Sequence, residues 1–270
     1  MDRRWFGTLL LASALVLGAA EPPAKATLEY SKAVPVVDSV GEDQAVAKVI
    51  APLALELRSS FGRELVRCPS GLFRGRPAEE NLLGYWVADL MRSKAAQVLG
   101  VPVKVGFTNS GGLRANLRPG ILKVGDIYEV MPFENELVVA EYTGAEVVQM
   151  VKDGLLRRAG EPISGVKAKV MGTPEKPEIT VTWSDGSPIA PDEVVKVALT
   201  DYLLTSGDGM SAVRQGRRPI TVGIPLRDLL LDECARLGRL KFPLLAPAGG
   251  RYEFSPEVAQ AIRDRRKLSW

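Results

Sequence analysis

Apolar residues recur every three or four positions from Glu79 to Leu99. Leu82, Leu83, Trp86, Val87, Leu90 and Met91 fall on one face, and Gly100 ends the run. This period predicts an amphipathic helix with a glycine stop. A second helix is predicted from Gly41-Glu42-Asp43, whose acids suit a helix N-terminus. Its apolar positions are Val46, Val49, Ile50, Leu53 and Leu57, and Pro52 should kink or break it. Ala145–Leu156 shows the same period after a turn at Thr143-Gly144. Further helices are expected from Pro225 to about Leu237 and from Pro256 to near Lys267.

Other stretches read as strands. A short mixed segment at Val66–Phe73 suits a strand and turn, and Val101–Phe107 a buried strand. Glu136–Tyr142, Lys167–Met171, Ile179–Trp183 and Val194–Leu199 follow, with a hairpin signal at Ser184-Asp185-Gly186-Ser187. Asn109-Ser110-Gly111-Gly112 and Ser206-Gly207-Asp208-Gly209 must be tight loops. Helix, strand, helix, several strands and more helices predict a single α+β (mixed α/β) domain over residues 42–270.

Residues 1–20 do not read as fold. Arg3 and Arg4 precede an uncharged apolar run from Phe6 to Leu17, followed by Gly18-Ala19-Ala20. This is the three-part pattern of a secretory signal peptide, and the run is short for a membrane span. Export to a periplasmic or extracellular space is the expectation. Residues 21–41, rich in Pro, Ala, Val and Ser, read as an extended leader. Removal of the first segment would take away Arg3, Arg4 and Asp2 and leave a formal charge of +2 instead of +3. That charge is too small to suggest a nucleic-acid partner. Cys68 and Cys234 would lie in an oxidising compartment. The sequence leaves open a disulfide or two buried thiols.

Composition narrows the chemistry. Apolar residues are 46% and charged residues 25%, an ordinary globular balance. There is no histidine among 270 residues. A Ser-His-Asp triad, a Cys-His pair and any His-bearing metal site are therefore excluded from this chain alone. The carboxylates are scattered and fix no catalytic pair.

Three loops carry candidate chemistry. Thr108–Arg114 follows a strand and has two glycines that let a ligand approach the backbone. Asn109 offers an amide, and Arg114 a planar guanidinium. Met131–Asn135 and Asp201–Gly209 each set an aromatic beside polar groups. A pair of aromatics could hold a planar base, and Asp208 could accept from sugar hydroxyls. Taken singly, each loop also reads as a plain turn with core aromatics.

Together the loops resemble the C-terminal domain of the secreted 5'-nucleotidase family. The matching stretches are Glu80-Asn81-Leu82-Leu83-Gly84 with Ala88-Asp89, then Thr108–Arg114, Gly125–Asn135, Tyr142-Thr143-Gly144, Ser164-Gly165 and Asp201–Gly209. They occur in the family's order over about residues 40–215. The resemblance implies the base- and ribose-binding half of a two-domain enzyme. Phe133 and Tyr202 would stack on the base, and Asn109 would touch it. Asn135, Gly165 and Gly207 would line the pocket, Asp208 would hold the ribose, and Arg114 would face the phosphate. The family's metallophosphatase half has no counterpart in this reading. The resemblance therefore implies no catalytic residue, metal ligand or cofactor here. It implies a nucleoside or nucleotide partner, with a separate metallophosphatase in trans as one arrangement, and no activity alone. A structural or interaction module of the cell envelope is the alternative. Two departures stand out: Pro77 where the family has an arginine, with Arg76 one position off, and Ser206 where it has a glycine.

Overall fold

The computed structural model describes residues 37–266 together with Ala33 and Pro35. The segment expected to direct export and most of the expected leader lie outside them. The chain divides into two compact units between Ala47 and Lys48. In the first, the Asp43 carboxylate accepts from the N–H groups of Ala45 and Val46, at 2.8 and 3.1 Å. It thereby caps a helix at the predicted place.

That helix is α1 (Gln44–Phe61), which runs through Pro52. Then come β1 (Glu64–Cys68), α2 (Leu82–Leu99), β2 (Val105–Phe107), β3 (Gly120–Lys123) and α3 (Val124–Val130). The centre of the chain holds β4 (Glu136–Thr143), α4 (Gly144–Arg158), β5 (Ile163–Ser164), β6 (Val166–Thr173) and β7 (Lys176–Trp183). The remainder is β8 (Val194–Thr200), α5 (Asp201–Ser206), β9 (Arg217–Pro225), α6 (Leu226–Arg239), β10 (Tyr252–Phe254) and α7 (Pro256–Arg263).

The α+β class is the one read from the pattern. The central sheet has strand order β5-β2-β8-β4-β9. Its β2 and β8 are parallel, and the other neighbours are antiparallel. A three-stranded sheet, β10-β6-β7, and a two-stranded one, β1-β3, complete the architecture.

The central sheet is buried on both faces, and the period-2 alternation shows it. Along β4, Leu137 and Val139 join one apolar cluster with α2, α3 and α6. Val138, Ala140 and Tyr142 join the other, with α4 and β6. Alternate side chains of a strand point to opposite faces, so one strand feeds both clusters. Cys68 and Cys234 are separate buried thiols in the first cluster. Burial pushes the Cys234 thiol up to about 12.

Several elements differ from the periodic reading, among them a strand, an edge strand and a helix end. The strand expected at Val101–Phe107 begins only at Val105. Pro102 has no N–H to give the ladder, and Val101 is exposed. Strand β9 carries Pro219 and Gly223 and no clean alternation; it survives because it lies at the sheet edge. Helix α7 ends at Arg263, short of Lys267.

Helix α4 opens on a capping box. Thr143 Oγ1 accepts from Glu146 N at 3.3 Å, and Glu146 Oε2 accepts from Thr143 N at 2.7 Å. The same carboxylate pairs with both terminal nitrogens of Arg217 at 2.7 Å, which holds it down at about 2. A carboxyl lowered from its ordinary value stabilises the fold above about pH 4.5 and loses that contribution as pH falls towards 2. Because the pair is partly exposed, Arg217→Ala should cost no more than about 1 kcal/mol at pH 7. The cost should shrink steadily below about pH 4.5 and vanish only below about pH 2, as read from denaturation midpoints across that range.

Candidate functional site

The parallel pair β2 and β8 ends at one edge of the central sheet, and antiparallel β4 begins there. Three loops therefore converge at this edge: 108–114 after β2, 131–135 before β4, and 201–209 after β8. Ligands of open sheets characteristically bind outside the carboxyl ends of parallel strands. A cavity of about 270 Å³ lies here. Its lining is Asn109, Gly111, Gly112, Arg114, Phe133, Asn135, Arg158, Tyr202 and Asp208.

Six of the eight residues singled out from the sequence thus meet: Asn109, Arg114, Phe133, Asn135, Tyr202 and Asp208. Gly207 stands one residue outside the wall. It takes the left-handed φ of 70° that ends α5, and a Cβ there would sit 2.8 Å from the Arg214 side chain. Gly165 does not join the cavity wall. It lies between β5 and β6 with φ +85°, and a Cβ there would sit 1.9 Å from the Lys104 carbonyl oxygen. That close approach of two backbones leaves no room for a side chain there.

The polar wall is built on Asp208, itself in the left-handed region at φ 44°, ψ 39°. Its Oδ2 accepts from Asn109 Nδ2 at 2.7 Å. Its Oδ1 accepts from Arg157 Nη2 at 2.6 Å, and Arg157 Nε also donates to its carbonyl. A carboxylate has about four acceptor positions, so two stay available for hydroxyls. Asn109 is buried and its Oδ1 faces Gly112, where a Cβ would approach to 3.0 Å. Glycine at 112 keeps that amide in place.

The aromatic wall is open. Phe133 is 41% and Tyr202 44% exposed. Among the described residues neither packs on another aromatic ring. Arg114 lies over the Phe133 ring at 5.9 Å and donates to the Gly111 carbonyl at 3.1 Å. Asp201 secures the start of α5 by accepting from Glu136 N at 3.1 Å and Tyr202 N at 2.7 Å. The Asn135 carbonyl accepts from Leu226 N at 2.8 Å and ties its loop to α6.

Arg157 and Arg158 escaped the sequence reading. They resemble any basic helix C-terminus, and nothing local shows that one grips Asp208 and the other walls the cavity. Among the described residues no group of three or more Cys, Asp or Glu is placed to hold a metal ion. No described helix is long and apolar enough to cross a membrane.

Comparison with known proteins bears on these loops directly. Residues 67–215 match the family model for the 5'-nucleotidase C-terminal domain. The Bacillus subtilis trifunctional nucleotide phosphoesterase protein YfkN is 28% identical over 178 residues, 61% of this chain and 12% of that protein. The Listeria monocytogenes cell wall protein Lmo0130 is 31% identical over 149 residues, 51% of this chain and 19% of that protein. The chain thus spans less than a fifth of these relatives. Among solved structures, the Thermus thermophilus 5'-nucleotidase precursor superposes with a TM-score of 0.65 at 22% identity. That superposition covers 82% of this chain and 45% of that one, and it supports the fold. The family match takes in more than half of the residues and all three cavity loops, and the chain belongs to the 5'-nucleotidase C-terminal domain family.

Proposed function

We propose that this chain binds a nucleoside or nucleotide in the cavity at the β2–β8–β4 edge, as an exported protein of nucleotide breakdown. The observation that carries the reading is the pairing of two exposed rings, Phe133 and Tyr202, with an anchored carboxylate, Asp208, across one cavity. Stacking on the rings suits a planar base, and the free acceptor positions of Asp208 suit ribose hydroxyls. Arg114 and Arg158 supply cationic donors for a phosphate.

The chain has no histidine, and its role is positioning and selection of the substrate. Hydrolysis of the phosphate ester would call on a metallophosphatase site outside these residues, with a separate protein in trans as one arrangement, whose metals would supply the attacking hydroxide. Export is favoured by the signal-like pattern of residues 1–20 and by the likeness to a protein named for the cell wall.

Calorimetric titration with adenosine, AMP and other nucleosides tests the binding. A saturable heat and a raised melting temperature are expected. No response to any of them sinks the reading and leaves an interaction module of the envelope. Phosphate release by the chain alone with Mn²⁺, Mg²⁺ or Zn²⁺ would overturn the division of labour.

A further inference from the structure

Glu161 is a carboxylate buried to 1% exposure just beyond α4, and the binding reading has given it no task. Its Oε2 accepts from Ser110 N at 2.6 Å, in the glycine loop that carries Asn109. Its Oε1 lies 3.3 Å from Arg158 Nε but makes no hydrogen bond, and it is sealed from solvent. Arg158 is a partition: it lines the candidate nucleoside cavity and also a second cavity of about 170 Å³ next to it. Ser110 and Glu161 line that second cavity. Glu161 is clamped where it stands. A Cβ on Gly154 would meet its Cβ and Cγ at 3.3 Å, and its own carbonyl accepts from the Tyr252 hydroxyl at 2.6 Å.

An acid with no water contact and an unpartnered oxygen is costly unless neighbours favour it. Here Arg158 lines the nucleoside cavity, and Ser110 sits in the loop whose Asn109, Gly111 and Gly112 line it. We propose that Glu161 is a positioning residue of the nucleoside cavity, its carboxylate holding the Asn109–Gly112 loop through Ser110 and the Arg158 guanidinium on the shared wall. This rests on the binding function proposed above. It touches no ligand; it sets two groups that do.

The carboxylate form does both jobs. A proton on Oε2 removes the acceptor for Ser110, and a proton on either oxygen removes the attraction for Arg158. Burial raises the Glu161 carboxyl above its ordinary value, against the pull of the Ser110 amide and of Arg158 and Arg157. Nucleoside affinity should therefore fall as pH drops through a midpoint above the usual glutamate range of about 4.3. The other groups facing this pocket are Arg157 and Arg158 from α4, Tyr252 from β10, Tyr85 from α2, and Arg74, Arg76 and Glu79 from the segment before α2. Burial pushes both tyrosines up, so they stay neutral across the range. Asp208 is a second carboxylate, on the nucleoside cavity itself, and only a Glu161 variant separates the two.

The test follows the Ser110 amide by nitrogen-15 NMR from pH 4 to 8, beside adenosine titrations at each pH. In the wild type the amide shift should move with a midpoint above the ordinary glutamate range. Affinity should fall at least about tenfold across that midpoint, the weight of a hydrogen bond to a charged group. In Glu161→Gln the amide should lose that titration, and affinity should be low and flat there. Should Glu161→Gln fail to fold, Arg158→Ala decides: removing a cation must push the amide midpoint further up. A Ser110 amide that does not titrate, or a Glu161→Gln protein that binds with the wild-type pH profile, overturns the proposal. A wild type that binds no nucleoside at pH 8 overturns the functional reading instead. A wild type that binds with an affinity independent of pH overturns the proposal alone.

Discussion

Phe133→Ala with Tyr202→Ala in one protein should weaken nucleoside binding by roughly 30-fold or more and leave the melting temperature nearly unchanged. Each ring is more than two-fifths exposed, so little of the core depends on it. Base–aromatic stacking is worth about 1–3 kcal/mol per ring. Two rings together amount to about 2–6 kcal/mol, a loss of roughly 30-fold or more. Calorimetry on the single and double variants reads it directly. Each single change should cost part of the affinity, and the double change should cost more than either. Affinity in the double variant within about threefold of wild type would mean that the rings do not hold the base. The polar wall around Asp208 would then have to account for binding.

Gly165→Ala should have the largest effect on stability, and its effect on the ligand should be secondary. The residue sits at φ +85°, where only glycine is at ease, and its Cβ would lie 1.9 Å from the Lys104 carbonyl. Backbone meets backbone at that point, so no side-chain rotation relieves the clash. The Gly165 carbonyl also accepts from Ser184 N at 3.0 Å, so the turn cannot simply open. Strain of this kind costs about 3 kcal/mol or more. For a chain of this size that lowers the melting temperature by about 6–12 °C. If Gly165→Ala melts like the wild type but loses nucleoside affinity, the residue serves the ligand as the family resemblance implies, and the packing account fails.

Much of the cavity was legible in advance because its residues lie in three short, recognisable loops. Asn109 and Arg114 flank a double glycine, Phe133 and Asn135 bracket Glu134, and Tyr202 and Asp208 lie six residues apart, in α5 and just after it. Each group is local, and local patterns show in a linear sequence. Glu161 and Arg157 were invisible because partners of each lie far along the chain, and Arg158 because the cavity it walls is assembled from other segments. Glu161 meets Ser110 across 51 residues, as Arg157 meets Asp208. Strand β9 escaped for a different reason. An edge strand needs no buried alternation, and its prolines read as turn residues.

Local pattern by itself determined the mixed α+β class, the main helices, the loops that carry polar chemistry, and that this chain alone supplies no imidazole. It could do so because helix and strand periods, glycine turns and side-chain inventory are properties of neighbouring residues. Tertiary structure decided which loops share an edge, that Gly165 lies off the cavity wall and Arg158 on it, and that Cys68 and Cys234 are free thiols. Those outcomes follow from strand order. The parallel pairing of β2 with β8, beside antiparallel β4, brings residues 109, 133 and 208 to one rim. No pattern within a single element encodes which strand lies next to which.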